Sequence, residues 1–206
     1  MTDDPARIVA AGYDRVAEEY ARLEEGVEWP RLRRLQALLA QLEPGSDVLD
    51  VGCGNGVPAL QEIAREHRAV GVDVSARQVE LARANVPEAR VLHADVRELD
   101  FAPASFDAIV SFYALDQIPR EEHAAVFARW RAWLRPGGRL LLSVEDGDRP
   151  DAVGDWLGVP MFLSHFDAGT ATRIAAETGF TIDSAETEEQ LEGGSPVRYL
   201  WLLAHR

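Results

Sequence analysis

The sequence predicts an α/β fold of three layers, in which a mostly parallel β-sheet carries helices on both faces. Three observations lead there. Short apolar runs of buried-strand type alternate with longer segments whose apolar residues recur at helical spacing. The alternation is unbroken from Asp47 to Val144, and strands joined through helices require right-handed crossovers and parallel pairing. A glycine-rich turn, "GCGNG", directly follows the first apolar run, where such sheets bring a ligand against the main chain.

Each element has a local cause. Tyr13, Val16, Ala17 and Tyr20 fall on one helical face, and Leu32, Leu35, Leu38, Leu39 and Leu42 do so after "EWP", so two helices form an N-terminal cap over residues 1–43. "EPGS" is turn chemistry and "DVLDV" is the first strand. Pro58 suits the first turn of a helix reaching about His67. "AVGVDV" is the second strand, and Ser75 with Gln78 forms a capping box for a helix from Ala76 to about Asn85. "ARVLHAD" and "FDAIVSF" follow, then a helix from about Glu121 to Leu134, the turn "RPGG" and the strand "RLLLSV", completing a core over 44–144. Residues 145–167 read as a looser segment capping the core. Residues 168–206 read as a helix ending at Gly179 and a hairpin of "FTIDSAE" with "VRYLWLLA", joined by the polar loop "TEEQLEGGSP" with a mobile point at Gly193 and Gly194. There is no internal repeat, and 206 residues suit one domain.

Composition excludes several classes of function. The single cysteine, Cys53, rules out an intrachain disulfide and a cysteine-based zinc site, and the five histidines show no metal-ligand spacing. All 21 basic residues are arginine, which removes Schiff-base lysine chemistry. A formal net charge of −14 argues against nucleic acid as a partner. The acidic N-terminus and the lack of a long apolar run predict a cytoplasmic protein with no membrane partner.

The glycine turn asks what lies close to its backbone. Gly52, Gly54 and Gly56 can serve the turn alone, but Asp73 ends the second strand where a carboxylate accepts both hydrogen bonds of a ribose diol. Asp95, ending the third strand, is placed for a base edge or for capping a turn. The spacing GxGxG departs from the GxGxxG of a dinucleotide loop, and Asp50 before it would repel a pyrophosphate while attracting a cationic amino-acid end. S-adenosylmethionine has that combination of nucleoside and cation.

The ordered stretches "VLDVGCGNG", "GVDVS", "HADVREL", "FDAIVSFYALDQIP" and "LRPGGRLLLSV" resemble the successive motifs of the class I S-adenosylmethionine-dependent methyltransferases. The resemblance implies a Rossmann-like sandwich with a seven-stranded sheet whose last strand is antiparallel. It implies that Asp50 and the Gly52, Cys53, Gly54 and Gly56 loop hold the methionine portion, with Ser111 flanking it. Asp73 with Val74 would hold the ribose, and Asp95 with Val96 the adenine. S-adenosylhomocysteine would be the product.

Three regions should overhang the cofactor. Tyr13 and Tyr20 share a helix face that can close over the pocket, with Tyr13 a catalytic candidate, or simply pack. Tyr113, Asp116 and Gln117 follow the fourth strand, at a position facing the acceptor in relatives. Trp156, Met161 and Phe162 can line an apolar acceptor pocket, with His165 as a general base or as a hydrogen-bonded structural histidine. No "NPPY" or "DPPY" stretch of the base-methylating relatives occurs. The expectation is a methyltransferase of small molecules acting on oxygen or nitrogen, monomeric or homodimeric, without a metal. A non-catalytic cofactor-binding domain and an NAD-dependent oxidoreductase are the alternatives.

Overall fold

The computed structural model describes residues 4–24, 30–192 and 195–206. Helices α1 (Pro5–Glu24) and α2 (Pro30–Leu39) precede strand β1 (Asp47–Val51). Then come α3 (Ala59–Ala64), β2 (Arg68–Asp73), α4 (Ala76–Asn85), β3 (Arg90–His93) and β4 (Phe106–Phe112). Two short 3-10 turns lead into α5 (His123–Trp133), followed by β5 (Leu134–Glu145), β6 (Arg149–Trp156) and β7 (Val159–His165). Helix α6 (Ala168–Glu177), β8 (Thr181–Glu192) and β9 (Ser195–His205) complete the described chain.

Seven strands form one sheet in the order β3-β2-β1-β4-β5-β9-β8. The first five run parallel, and β9 is antiparallel to both of its neighbours. Successive side chains of a strand point to opposite faces, and the central strands use both. Leu49, Ile109 and Leu142 pack with Phe127, Trp130 and Trp133 of α5, whereas Val48, Val110 and Leu141 pack with Leu35, Leu60 and Val79 from α2, α3 and α4. This double burial is why "DVLDV" and "FDAIVSF" are apolar runs without alternation.

A third cluster lies outside the sandwich. Strands β6 and β7 form a separate antiparallel hairpin, and Val159, Met161 and Phe162 from it pack on Val9 and Val16 of α1. Gly12 makes the approach possible, because a Cβ there would lie 2.8 Å from Met161 Cε. Helix α1 and this hairpin together form a roof beyond the strand ends.

Three local readings are corrected. The looser segment at 145–167 is the β6–β7 hairpin. Its two-residue turn has Leu157 at φ 51° and Gly158 at φ 75°, and a leucine in a place that favours glycine or asparagine hides the turn. The "RPGG" turn lies inside β5: Phe106 pairs with Leu134 and Ala108 with Arg139, so the intervening residues bulge out, bonded to Arg206 through Gly137 N and Gly138 O. The polar loop "TEEQLEGGSP" is mostly strand, with pairing continuing to Glu192 and Ser195. An edge strand tolerates such charges, and Arg34 Nη2 holds both Glu186 and Glu188, at 3.0 and 2.9 Å. The expected mobile point at Gly193 and Gly194 lies outside the described residues.

Gly71 in β2 tests the packing beneath the glycine turn. A Cβ there would meet Cys53 Sγ at 2.8 Å and Leu60 Cδ2 at 2.9 Å. Gly71→Ala is expected to lower stability by about 1–3 kcal/mol through overpacking, read as a lower urea midpoint at unchanged m-value.

Candidate functional site

The site begins where β1 gives way to the glycine turn. Gly52 has φ 74°, and a Cβ on it would overlap Ala114 Cβ, so only glycine fits both the angle and the space. Its N–H and that of Cys53 donate to Val72 O at 2.8 and 3.0 Å, which stitches the turn to the end of β2. Gly54 N–H donates to Asp73 Oδ2 at 2.9 Å, and Ser75 N–H donates to Asp73 Oδ1 at 2.9 Å. Asp73 is thereby aimed, with lone pairs left on each oxygen for a ligand. Burial pushes its carboxyl up, and the two N–H donors oppose the shift.

Asp50 lies behind the turn, 1% exposed, with Oδ2 buried and without a hydrogen-bond partner. Burial first, and Asp73 in addition, push its carboxyl up to about 7 against the opposing field of Arg31. Such an orphaned buried acceptor is a place for a cation. The Cys53 thiol is pushed well up by burial, so it is a small packing residue of the turn and no thiolate nucleophile.

A cleft with about 920 Å³ of empty space, its open mouth included, runs over these groups. Its floor takes in Gly52, Cys53 and Gly54, and its side comprises Asp73, Val74, Asp95 and Val96. Tyr113 and Gln117 close the far wall, while Tyr13 and Tyr20 of α1 face it from above. Most of the sequence-predicted residues therefore meet in one cavity.

The roof is tied down by polar contacts as well as by packing. Tyr13, Tyr20 and Trp156 form a triangle of rings with centroid separations of 5.8, 5.3 and 5.3 Å. Gln117 Nε2 donates to the Tyr13 hydroxyl at 2.6 Å. Asp14 Oδ1 accepts from Ser75 Oγ at 2.6 Å and from Arg77 N at 3.0 Å, and Glu18 pairs with Arg77. Arg97 links Asp4 of the roof, Asp95 of the cleft and Glu122 before α5.

Tyr113 occupies the left-handed region at φ 55°, a strain of about 1–3 kcal/mol for a non-glycine residue. Its N–H donates to Ser143 Oγ at 3.0 Å and its hydroxyl to Gln190 Oε1 at 2.9 Å, and its ring lies edge-on to Tyr199. These contacts hold the ring in the cleft wall.

Several expected site residues stand elsewhere. His165 is 2% exposed at the end of β7 and outside the cleft lining, its Nδ1 bonded to Gly147 O at 2.7 Å and its Nε2 3.5 Å from Glu145 Oε2. The hairpin that carries it folds that end away from the cavity. Asp116 accepts from Glu145 N at 3.0 Å and is buried outside the lining. Met161 and Phe162 are buried against α1, and Trp156 stands behind the two tyrosines rather than in the lining. Ser111 is in register with Val51 and Leu142 and has a buried hydroxyl with no hydrogen-bond partner. Gly56 packs on α4, where a Cβ would meet Val86 Cγ2 at 3.0 Å. Only half of the expected capping box forms: Ser75 Oγ accepts from Gln78 N, but Asp73 has taken the Ser75 N–H.

Three further residues line the cleft that the sequence did not mark as site residues, Gln78 among them having been expected only as the capping partner of Ser75. Gln78 leaves Oε1 buried without a partner against the turn, Arg97 clamps Asp95, and Arg31 brings a buried cation from the start of α2. Arg31 leaves one sequence signal, a cation in a first helical turn, where the macrodipole disfavours it. Arg97 meets Asp95 two residues away but also Asp4 and Glu122 far along the chain, and Gln78 reaches the turn only through the docking of α4.

Comparison with known proteins now bears on the cleft. Residues 48–138 match the family model described as a methyltransferase domain. An O-methyltransferase of Pyrenophora dematioidea is 32% identical over 200 residues, spanning 88% of this chain and 71% of that protein. The chain belongs to the S-adenosylmethionine-dependent methyltransferases. The 27-O-demethylrifamycin SV methyltransferase of Amycolatopsis mediterranei is 36% identical over 150 residues, 69% of this chain, and the match spans half of that protein's length. The fold is that of Burkholderia thailandensis 1,6-didemethyltoxoflavin-N1-methyltransferase, a structure with bound 1,6-didemethyltoxoflavin and S-adenosylhomocysteine. The TM-score is 0.74 at 22% identity, over 98% of this chain and 88% of that one. S-adenosylmethionine is the methyl donor of the family, and the orphaned Asp50 acceptor, the side-chain-free turn and the aimed Asp73 of this methyltransferase fit it. Among the described residues no helix is long and apolar enough to cross a membrane, and no three His, Cys, Asp or Glu residues cluster to hold a metal.

Asp50 should leave a mark on the pH dependence of stability. Its folded carboxyl is raised to about 7, above the unfolded value of about 4, so its contribution is complete below about pH 4 and is lost as pH rises through about 7. Melting curves of wild type and Asp50→Asn from pH 4 to 8 are expected to show this loss in wild type only.

Proposed function

We propose that this methyltransferase moves the methyl group of S-adenosylmethionine to an oxygen or nitrogen of a small-molecule acceptor bound beneath the α1 and β6–β7 roof. The observation that carries the reading is the tyrosine-lined roof, backed by Trp156, facing the glycine turn across one cleft. The aromatic lining suits a planar, largely apolar acceptor. The names of the relatives, a rifamycin O-methyltransferase, an O-methyltransferase and a toxoflavin N-methyltransferase, support the same class.

When bound, the cofactor supplies an electrophilic methyl carbon on a sulfonium. The chain's residues bind and align. Asp73 accepts from the ribose hydroxyls, held in place by Gly54 N–H and Ser75 N–H. Asp50 lies behind the turn to favour the cationic end through the backbone at Gly52 and Gly54. Asp95, clamped by Arg97, and Val96 bound the adenine end. Tyr13, bonded by Gln117, and Tyr113, bonded by Gln190, fix the walls against which an acceptor stacks. Transfer in this arrangement draws its acceleration from alignment. His165, sequestered at the hairpin base, takes no part as a base.

Calorimetric titration with S-adenosylmethionine, S-adenosylhomocysteine and NADH, followed by a labelled-methyl assay on hydroxylated and aminated aromatic acceptors, tests the reading. Binding of the first two alone with methyl transfer is expected; binding of NADH alone, or cofactor binding without transfer to any acceptor, counts against it. Asp73→Ala is expected to weaken S-adenosylhomocysteine binding by about 1.5–3 kcal/mol. His165→Ala is expected to leave both affinity and turnover near wild type, which a pH profile of the labelled-methyl assay checks.

A further inference from the structure

The wall of the cleft and its roof share a guanidinium. Arg97 follows β3, and its Nη2 donates to Asp95 Oδ2 at 2.7 Å and to Asp4 Oδ1 at 3.2 Å. Asp95 is a cleft residue, whereas Asp4 begins the roof as the cap of α1. Its Oδ1 also accepts from Ala6 N at 3.2 Å, and its carbonyl accepts from Arg7 N and Ile8 N at 2.9 and 3.2 Å. Ala6 and Val9, from the turns that this cap starts, line the cleft together with Asp95, Val96 and Arg97.

The two sides of this contact are held unequally. On the wall, Arg97 is fixed from several directions. Its Nη1 donates to Glu122 Oε1 at 2.9 Å, its Nε reaches the two oxygens of Asp95 at 3.1 and 2.9 Å, and its main-chain carbonyl accepts from Arg129, which also binds Leu99 O. On the roof, the Asp4 side chain is 48% exposed, against 18% for Arg97. The other polar ties of α1 to its surroundings begin at Tyr13 and Asp14. Among the described residues, the Asp4–Arg97 pair is therefore the one polar tie that joins the start of α1 to the wall.

We infer that the Asp4–Arg97 pair is a latch that slows release of the adenosyl product, with Arg97 a positioning residue that couples the start of the roof helix to the cleft wall. The inference rests on S-adenosylmethionine binding in this cleft. A ligand beside Asp95 lies under the turns that carry Ala6 and Val9, so its departure requires them to lift and the pair to part. Because Asp4 is half exposed, salt screens the pair, and the release rate inherits that dependence. Product release is the slow step of many enzymes, and a latch at that step acts on turnover without touching the methyl group.

Surface plasmon resonance on the immobilised whole chain reads association and release of S-adenosylhomocysteine between about 0.05 and 0.5 M salt, with each variant checked for folding by melting temperature. In wild type the release rate is expected to rise with salt. Asp4→Asn keeps a capping oxygen and loses the charge. It is expected to release about 2- to 5-fold faster at low salt, to associate within about twofold of wild type, and to show no rise with salt. In an Arg97→Gln background the same change is expected to add nothing, and the Asp4 variants carry the test if Arg97→Gln fails to fold. Wild-type release from Asp4→Asn would overturn the inference, and so would faster release from Asp4→Ala alone, which would assign the effect to the lost helix cap. A full further gain from Asp4→Asn on top of Arg97→Gln would also overturn it, since Asp4 would then act without the guanidinium. Failure of wild type to bind S-adenosylhomocysteine would instead refute the cofactor reading beneath it.

Discussion

The Asp73 carboxylate accepts from Gly54 on one oxygen and from Ser75 on the other, and the shape of the cleft follows from those two bonds. The first fixes the glycine turn against the end of β2. The second sets the start of α4, and Ser75 passes the constraint on, accepting from Gln78 with its hydroxyl while donating to Asp14 of α1. Floor, side wall and roof are thus linked through a few consecutive hydrogen bonds. A carboxylate with both oxygens engaged by backbone N–H groups is oriented before a ligand arrives, and preorganised acceptors lose little on binding.

Charge is arranged with similar economy. The chain carries a strong negative excess, and some of its arginines stand where several carboxylates converge. Arg97 gathers Asp4, Asp95 and Glu122, joining the roof, the third strand and the approach to α5. Arg34 serves the two glutamates of the outer strand while lying over Trp201. Exposed pairs of this kind contribute little singly, but a partly buried guanidinium shared among three acids holds separate elements in one geometry.

The local signals were strong where one segment holds its own information. Ser75 as a helix cap, the "FDAIVSF" strand and the alternation through Val144 depend on neighbours in sequence, and the structure has them as expected. The β6–β7 hairpin was illegible because Leu157 carries a positive φ that its side chain does not advertise. The outer end of β8 was illegible because an edge strand has no need of an apolar pattern there. His165 and Asp116 drew attention as ionisable groups near the expected acceptor side, but the direction of a side chain depends on the hairpin's docking on α1, which no local period records.

By itself the sequence determined the succession of strands and helices, the turn whose φ and close approach require glycine, and the acids ending the first three strands. These follow from backbone sterics and from burial on both faces of a sheet, which act over a few residues at a time. Only the tertiary structure decided which aromatic residues cover the cleft, that His165 stays out of it and which arginines enter it. Those outcomes depend on contacts between α1, α2 and the β6–β7 hairpin, brought together by packing over long separations along the chain.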